Sequence, residues 1–411
     1  MLFTQFSIAK FRVRPLILAC SACCLISACG GDGTTGLPGG SSNGGSGGSG
    51  GGSGGSSGIG ISAGSYSMAQ RSLPTYYKNA KAINYSAYRA GGPNQGELPS
   101  VANITQDLQL LQSAGYTLLR LFGADQVSTR VLSTAQANFP NLKFQIGIYL
   151  VGASTDCVNA VNTAQMQTGI QQANTYSNVA TVSVGNETSF ANNLPASCLA
   201  TYVNLVKTNV AQPVTADDDY TFYAGLTASG EKPDLILPLI DFASIHTYPM
   251  SNYGGWNWQQ TAIAAGQGRA VAMMNAAIAN ARANYASAAN YSFTNSANVK
   301  TTTGAAMPIV IGETGWKAVQ TNQGSQIETV AAKPINQKYY FDLLNTWQNA
   351  GTGPQTIFYF ESFDEAWKGN DDGWGLWDQN RTPRYILCGT AVAGAPACAT
   401  PDPYAGAGYF Q

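Results

Sequence analysis

The chain has 411 residues with 21 basic and 22 acidic side chains, so it is long enough for a large core and is almost neutral. Charged residues make up 10% of the chain, well below the ~25% of an average soluble domain. This balance excludes a basic field that attracts nucleic acid and also excludes an acidic surplus. It suits an uncharged, polar binding partner.

Residues 1–28 have the pattern of an export signal. Three basic residues precede an apolar run from Leu16 to Ile26, which is shorter than the ~20 residues needed to cross a bilayer. Residues 25–30 read Leu-Ile-Ser-Ala-Cys-Gly, which resembles the lipobox of bacterial lipoproteins. The resemblance implies cleavage before Cys29 and lipidation of that cysteine. The alternative is an ordinary signal peptide that is cut near Ala28 and releases the product.

Residues 29–61 comprise this cysteine and a tether made almost wholly of Gly and Ser. Such a segment cannot bury enough apolar surface to fold, and about thirty residues of it give an average reach of about 30 Å. By the lipoprotein resemblance, Gly30 beside the cysteine favours sorting to the outer membrane or cell surface. We therefore expect an exported protein that meets the membrane only through a lipid anchor. A periplasmic or secreted protein is the alternative.

Four cysteines remain beyond the signal and the lipidation site, namely Cys157, Cys198, Cys388 and Cys398. An even set in an exported domain predicts two disulfides. Three pairings are possible, and we favour the first two cysteines together and the last two together, because the last two close a short Gly/Ala/Pro loop. None of these four cysteines has a CxxC spacing and the chain has a single His, so we expect neither a metal nor a cofactor.

From residue 62 to residue 411, strand patterns alternate with helical ones, which predicts one domain whose C-terminal tail is closed by the second disulfide. The predicted strands are Ala82–Ala87, Thr117–Phe122, Phe144–Leu150, Val179–Asn186, Gln212–Ala216, Phe242–Thr247, Ile309–Gly312 and Thr356–Phe360. Among the helices, one has a capping box at Asn103 and Gln106. Another begins at Pro334 and ends before Gly351, and a third has an apolar face between Val271 and Tyr285.

Repeated strand and helix patterns predict an α/β fold. Eight strands in a domain of about 350 residues fit a (β/α)₈ TIM barrel with insertions. An open, doubly wound sheet would carry a Gly-rich first turn, whereas residues 84–89 read Asn-Tyr-Ser-Ala-Tyr-Arg. We therefore predict the barrel, with insertions around 217–233, around 250–258 and after Tyr285 that wall a cleft.

Two glutamates stand at strand exits. Glu187 follows Val179–Asn186, and Glu313 closes the apolar run that begins at Ile309. In a barrel, both would face the carboxyl-terminal mouth, where active sites of this fold lie. Alternation along the fourth strand puts Glu187 on the small, polar side and Asn186 on the opposite side. Two carboxylates placed in this way suit general acid and nucleophilic work on an acetal.

Five segments, in order, resemble glycoside hydrolase family 17, which contains β-1,3-glucanases and β-1,3-glucanosyltransferases. They are Ile83–Tyr85, Arg120–Gly123, Val184–Glu187, Ile311–Trp316 and the stretch from Phe363 to Asp378. The similarity spans essentially residues 82–385. It implies a retaining mechanism with Glu187 as acid/base and Glu313 as nucleophile. The chain departs from the family pattern at Lys317, where a proline often stands, and near Asp371, where a Glu is expected.

The other predicted substrate-binding residues are Tyr85, Asn186, Tyr248, Trp316, Glu365, Lys368 and Trp374. Glu365 and Lys368 keep the family's Glu-x-x-Lys spacing and are predicted to form an ion pair that orients Glu313 or a sugar hydroxyl. Tyr248 is expected to donate to Glu313, and the two Trp rings suit the apolar face of a pyranose.

Two further features are interpreted as structural. A lone histidine is more often a satisfied core residue than a catalyst, and we place His246 in that class. Three consecutive aspartates at 217–219 are expected in a solvated loop, with calcium binding as the alternative.

The combined prediction is a monomeric, endo-acting hydrolase of the neutral polysaccharide β-1,3-glucan. A β-1,3-glucanosyltransferase is the alternative, because it shares the covalent intermediate and passes it to another sugar instead of water. A non-catalytic, glucan-binding surface lipoprotein is an alternative of another class, although the intact glutamate pair argues against it.

Overall fold

The computed structural model describes residues 59–152, 157–191, 194–251, 256, 258–259 and 270–399. The predicted signal, lipidation cysteine and most of the tether lie outside these residues. Among the described residues, no helix is both long and apolar enough to span a membrane. The two disulfides join Cys157 to Cys198 and Cys388 to Cys398, which are the pairings favoured from the sequence.

Eight parallel strands close into a barrel, as the sequence predicts. In chain order they are β1 (Lys81–Asn84), β2 (Leu118–Arg120), β3 (Lys143–Ile148), β4 (Val179–Asn186), β5 (Val214–Asp219), β6 (Ala243–His246), β9 (Ile309–Thr314) and β10 (Ile357–Tyr359). Strands β7 and β8 form a separate hairpin, described below. Each predicted strand overlaps one of these. The fold is therefore a (β/α)₈ TIM barrel.

Helices surround the barrel. They are α1 (Val101–Ser113), α2 (Gln126–Asn138), α3 (Ala160–Thr175), α4 (Ala196–Asn209), α5 (Tyr220–Tyr223), α6 (Ala270–Ala289), α7 (Thr303–Ala306), α8 (Gln326–Ala331) and α9 (Pro334–Asn349). Helix α1 begins two residues before the predicted capping box. Its N-cap is Ser100, whose hydroxyl accepts from the Asn103 N–H. Its apolar stripe, Ile104, Leu108 and Leu111, is fully buried, and each such side chain contributes about 1.5–3 kcal/mol.

The insertion after Tyr285 does not wall the mouth. It forms an antiparallel hairpin of β7 (Ser292–Thr294) and β8 (Lys300–Thr302), which leads through α7 into the start of β9. The Gln70 side chain donates both to the Ala306 carbonyl, just before β9, and to the Asp241 carbonyl, just before β6. The insertion is therefore at the amino-terminal end of the barrel, and that part of the cleft prediction is wrong.

Candidate active site

Glu187 and Glu313 lie at the carboxyl-terminal mouth, after β4 and near the end of β9. One carboxylate oxygen from each and one ring nitrogen of His246 lie within 4.8 Å of one another. Only 7% of the Glu313 side chain is exposed, compared with 29% of that of Glu187. The two carboxyl groups therefore meet across one pocket, with Glu313 deeper in it.

The end of β4 departs from simple alternation. Gly185 and Glu187 both have positive φ, at 82° and 50°, and the pairing register with β5 shifts between Ser183 and Asn186. A Cβ at Gly185 would lie 2.5 Å from the Thr188 hydroxyl, so glycine permits this turn. As a result Asn186 also faces the pocket, where it accepts from Arg120 at 2.6 Å. Its predicted outward orientation is wrong.

Glu313 is held by charged and polar donors on both oxygens. The Arg120 Nη1 lies 2.6 Å from Oε1, and the Tyr248 hydroxyl donates to Oε2 at 2.6 Å. Burial alone would raise the pKa of this carboxyl, but His246, Arg120 and the Tyr248 hydrogen bond together lower it. Glu313 is therefore ionised at neutral pH. The contact expected of Tyr248 is present.

Arg120, at the end of β2, organises the floor of the pocket. Besides Glu313 and Asn186, its guanidinium donates to Asp217 at 2.6 Å and to Asn84 at 2.9 Å. The side chain is fully buried, so the paired carboxylates are what make its charge tolerable there. In the sequence, Arg120 stands out only as part of a family segment. An arginine inside a barrel strand was the available signal, because such a charge needs a buried partner.

His246 is not a passive core residue, contrary to the sequence interpretation. Its Nδ1 lies 2.9 Å from Glu187 Oε1, and its Nε2 lies 3.8 Å from Glu313 Oε1. Burial lowers the pKa of the imidazole, but the Glu313 carboxylate and the hydrogen-bonded Glu187 raise it to about 9. The imidazolium therefore bridges both carboxyl groups at neutral pH. Its alternation with Tyr248 on one side of the chain was the signal that could have placed it here.

The three aspartates after position 216 are not a solvated loop. They extend β5 and are buried, since Asp217 pairs with Arg120 and Asp219 caps α5 by accepting from the Thr221 N–H. Asp218 accepts three backbone N–H groups, from Ser189, Phe190 and Asp219. Protein donors thus engage both oxygens of Asp217 and of Asp218, which argues against the calcium alternative.

Three of the predicted substrate-binding aromatic residues are buried behind the pocket. Tyr85 is buried and its hydroxyl donates to Asp107. Trp316 is fully buried, and its indole N–H donates to the Ala331 carbonyl. Trp374 packs edge-on against Tyr248, at 5.4 Å between ring centroids. None of the three presents a free ring face to a sugar, because helix and loop packing uses their surfaces.

Glu365 and Lys368 form the predicted ion pair. Lys368 also pairs with Glu361, which the sequence analysis does not predict. Lys368 Nζ lies 3.1 Å from Glu361 Oε2 and 4.7 Å from the Phe360 ring centroid. Phe360 in turn packs against Tyr248. The described contacts of Glu313 do not include Lys368, so the pair does not contact Glu313 directly; orientation of a sugar hydroxyl, the other predicted role, stays a prediction.

Glu187, His246 and Glu313 also have the donor types of a metal site. However, Arg120 already places a cation 2.6 Å from Glu313 Oε1. A pKa of about 9 also keeps His246 protonated at neutral pH, whereas a metal ligand must be neutral imidazole. The residues therefore fit acid–base chemistry better than metal ligation.

Sequence comparison identifies the family. Residues 82–377 match the BtgE/BtgC glycoside hydrolase domain. The chain belongs to this family. The barrel, both pocket glutamates, Arg120 and His246 all lie within the matched residues, so the site described above is the pocket of a glycoside hydrolase domain.

Curated relatives agree at this level. The chain is 25% identical over 304 residues to the probable family 17 glucosidase SCW10 of Saccharomyces cerevisiae, covering 72% of this chain and 64% of that protein. It is 28% identical over 219 residues to a glucan 1,3-beta-glucosidase of Schizosaccharomyces pombe, covering 51% and 57%. It thus spans less than two thirds of either relative. The expected link to family 17 is supported through the first relative, whereas the lipoprotein form stays a prediction.

Among solved structures, an endo-laminarinase from Formosa Hel1_33_131 superposes with a TM-score of 0.64 at 20% identity. The match covers 80% of this chain and 94% of that one. At this identity, the likeness establishes the shared barrel.

Proposed function

We propose that this BtgE/BtgC domain is a retaining hydrolase of β-1,3-glucan, with Glu313 as nucleophile and Glu187 as acid/base. The observation that carries the proposal is the approach of the two carboxyl groups, with oxygens within 4.8 Å. Retaining glycosidases hold their carboxyl groups ~5–5.5 Å apart because one attacks the sugar directly, whereas inverting enzymes leave ~6.5–9.5 Å for a water molecule.

The environment of Glu313 supports its role as nucleophile. A nucleophilic carboxylate must be ionised, and the cations of His246 and Arg120 lower its pKa against the effect of burial. Tyr248 and Arg120 also fix the positions of both oxygens. In the first step, a Glu313 oxygen forms a bond to the anomeric carbon while the bond to the glycosidic oxygen breaks.

Glu187 is placed to supply the proton for that step. His246 Nδ1 lies 2.9 Å from Glu187 Oε1, which leaves Oε2 to pass a proton to the departing sugar oxygen. In the second step, Glu187 takes a proton from water as the water oxygen attacks the anomeric carbon and Glu313 leaves. Its greater exposure suits this exchange with solvent and leaving group.

The substrate class rests on the relatives and the composition. One relative is described as a glucan 1,3-beta-glucosidase and the structural neighbour as an endo-laminarinase. The low charge of the chain also suits a neutral glucan. A product profile over β-1,3, β-1,4, β-1,6 and mixed-linkage glucans tests this: short β-1,3-oligosaccharides support the proposal, and cleavage of other linkages alone contradicts it. Oligosaccharides longer than the substrate would instead show glucanosyl transfer.

The stereochemistry has a separate test. Proton NMR of the first-formed product should show the β-anomer before mutarotation. A 2-fluoro glycoside of laminaribiose should label Glu313, as found by peptide mass spectrometry. A first-formed α-anomer would show inversion and contradict the assigned roles.

We also propose export with a lipid anchor at Cys29, on the basis of the sequence pattern. The two disulfides suit an oxidising compartment. Labelled palmitate should be incorporated into the full chain expressed in a bacterium and should be absent from Cys29→Ser. Equal labelling of the two proteins would contradict the anchor.

A further inference from the structure

The turn that carries Glu187 is anchored from the neighbouring strand. Residues 187–191 form a turn in which the Ala191 N–H donates to the Glu187 carbonyl at 2.9 Å. The Asp218 carboxylate, fully buried on β5, accepts from the Ser189 N–H at 2.8 Å and from the Phe190 N–H at 3.1 Å. Each oxygen of Asp218 therefore holds one residue of the turn.

Glu187 needs such an anchor. It is a non-glycine residue with a φ of 50°, a conformation that persists only where the surroundings enforce it. The Glu187 N–H donates to the Asp217 carbonyl at 2.9 Å, so β5 holds both the start of the turn and, through Asp218, its middle. The position of the Glu187 carboxyl group is thus set by β5 as well as by β4.

We propose that Asp218 is a positioning residue for the acid/base step, acting by fixing the backbone turn that aims Glu187 at the leaving-group oxygen. The proposal rests on the function proposed for Glu187. The same neighbours act on the charge of Asp218. Burial raises the pKa of Asp218 to about 7, the hydrogen bond from the Ser189 N–H lowers it, and the nearby Glu187 carboxylate raises it.

The competing explanation is that Asp218 merely stabilises the barrel. The chain offers a matched control for that role in Asp241, just before β6. Asp241 is also fully buried and accepts two backbone N–H groups, from Arg71 and Val214, both at 2.7 Å. It lies at the opposite end of the barrel, so its loss tests stability without disturbing the turn.

The experiment compares two substrates with the full chain. A laminari-oligosaccharide needs acid assistance, whereas 2,4-dinitrophenyl β-laminaribioside has a leaving group that departs without it. For Asp218→Asn we expect kcat/KM to fall about 30- to 100-fold on the oligosaccharide, as for a displacement of about 1 Å. On the dinitrophenyl substrate, we expect a fall of less than about threefold. Asp241→Asn should leave both values unchanged.

An equal fall on both substrates, or no fall on either, would overturn the inference. Asp218→Glu is the second variant if Asp218→Asn does not fold, because it keeps the charge and shifts the carboxylate by one methylene; the same selective loss is expected. Glu187→Gln serves as reference. If that variant also shows no selectivity, the role of Glu187 itself fails; if it is selective and both Asp218 variants are not, only the positioning role fails.

Discussion

The two ends of this barrel both contain buried ionic groups, but they use them differently. At the amino-terminal end, Asp241 joins Lys207 at 2.9 Å and accepts the N–H groups of Arg71 and Val214. Tyr77 packs against Phe242 and Phe358 beside it. Each charge there is enclosed and serves to connect one segment of backbone to another.

At the carboxyl-terminal mouth, the charges are turned toward an open pocket. Arg120 and His246 act on Glu313, which lies beside the partly exposed Glu187. The pKa values are shifted in opposite directions, down for Glu313 and up for His246. The comparison teaches that buried charge alone does not mark a functional site; shifted pKa values beside an opening, as at this mouth, make a site a candidate.

The largest effect should come from removing the proposed nucleophile. Glu313→Gln keeps the shape of the side chain but cannot form the glycosyl ester, so we expect kcat/KM on laminarin to fall on the order of 10⁵-fold. Reducing-sugar release measures it, with circular dichroism to show an intact fold. Residual activity within tenfold of the unmodified chain would rule out this role.

The next largest effect should come from Arg120→Lys, which tests how strongly activity depends on the charges at the mouth. Lysine keeps the charge but cannot reach Asp217, Asn186, Asn84 and Glu313 together, so we expect kcat to fall about 10²- to 10³-fold. Because Arg120 helps to lower the pKa of Glu313, the acid limb of the rate profile should move to higher pH.

The matched change at the other end is Arg71→Lys. Arg71 donates to the carbonyls of Gln212 and Lys207, so its replacement should lower the melting temperature and leave kcat and the pH profile unchanged. A similar loss of kcat in both variants would mean that activity is no more sensitive to changes at the carboxyl-terminal mouth than to changes at the amino-terminal end.

Much of this fold could be predicted from the sequence because the signals are local. Apolar β-branched runs and helix-terminating residues specified eight strands, and chain order then placed Glu187 and Glu313 at one mouth. Local alternation failed where the backbone itself is irregular: Gly185, at a φ of 82°, turns Asn186 inward. A single sequence does not display that φ value.

The remaining errors concern partners that are distant in sequence. Arg120 lies 97 residues from Asp217 and 193 from Glu313, and nothing within its own strand shows that these carboxylates surround it. The interpretation of His246 as a passive core residue is wrong for the same reason. The sugar-binding role predicted for Trp316 is wrong for a different reason: a ring that suits a sugar also suits the core, and only the packing of the helices decides between them.

Asp241→Asn should show that the amino-terminal end of the barrel contributes stability and takes no part in the chemistry. The amide has one acceptor oxygen in place of two and leaves the Lys207 charge buried without its partner, so we expect unfolding free energy to fall by about 3 kcal/mol. Urea unfolding measures this loss. Unchanged kcat/KM is expected on both substrates, and a selective loss on the oligosaccharide would contradict the division between the two ends.

The smallest effect is the titration of His246, which is readily assigned because the chain contains a single histidine. Its pKa is raised to about 9 in the folded state, so its stabilising effect is fully present below the unfolded value of about 6.5 and is lost as the pH rises through 9. We expect unfolding free energy to fall by about 2.5 kcal/mol between pH 7 and pH 10. In His246→Asn this fall should be smaller by the same amount. Nitrogen-15 NMR of untagged protein should follow the imidazole directly, and a midpoint near 6.5 would show that the two glutamates do not act on it.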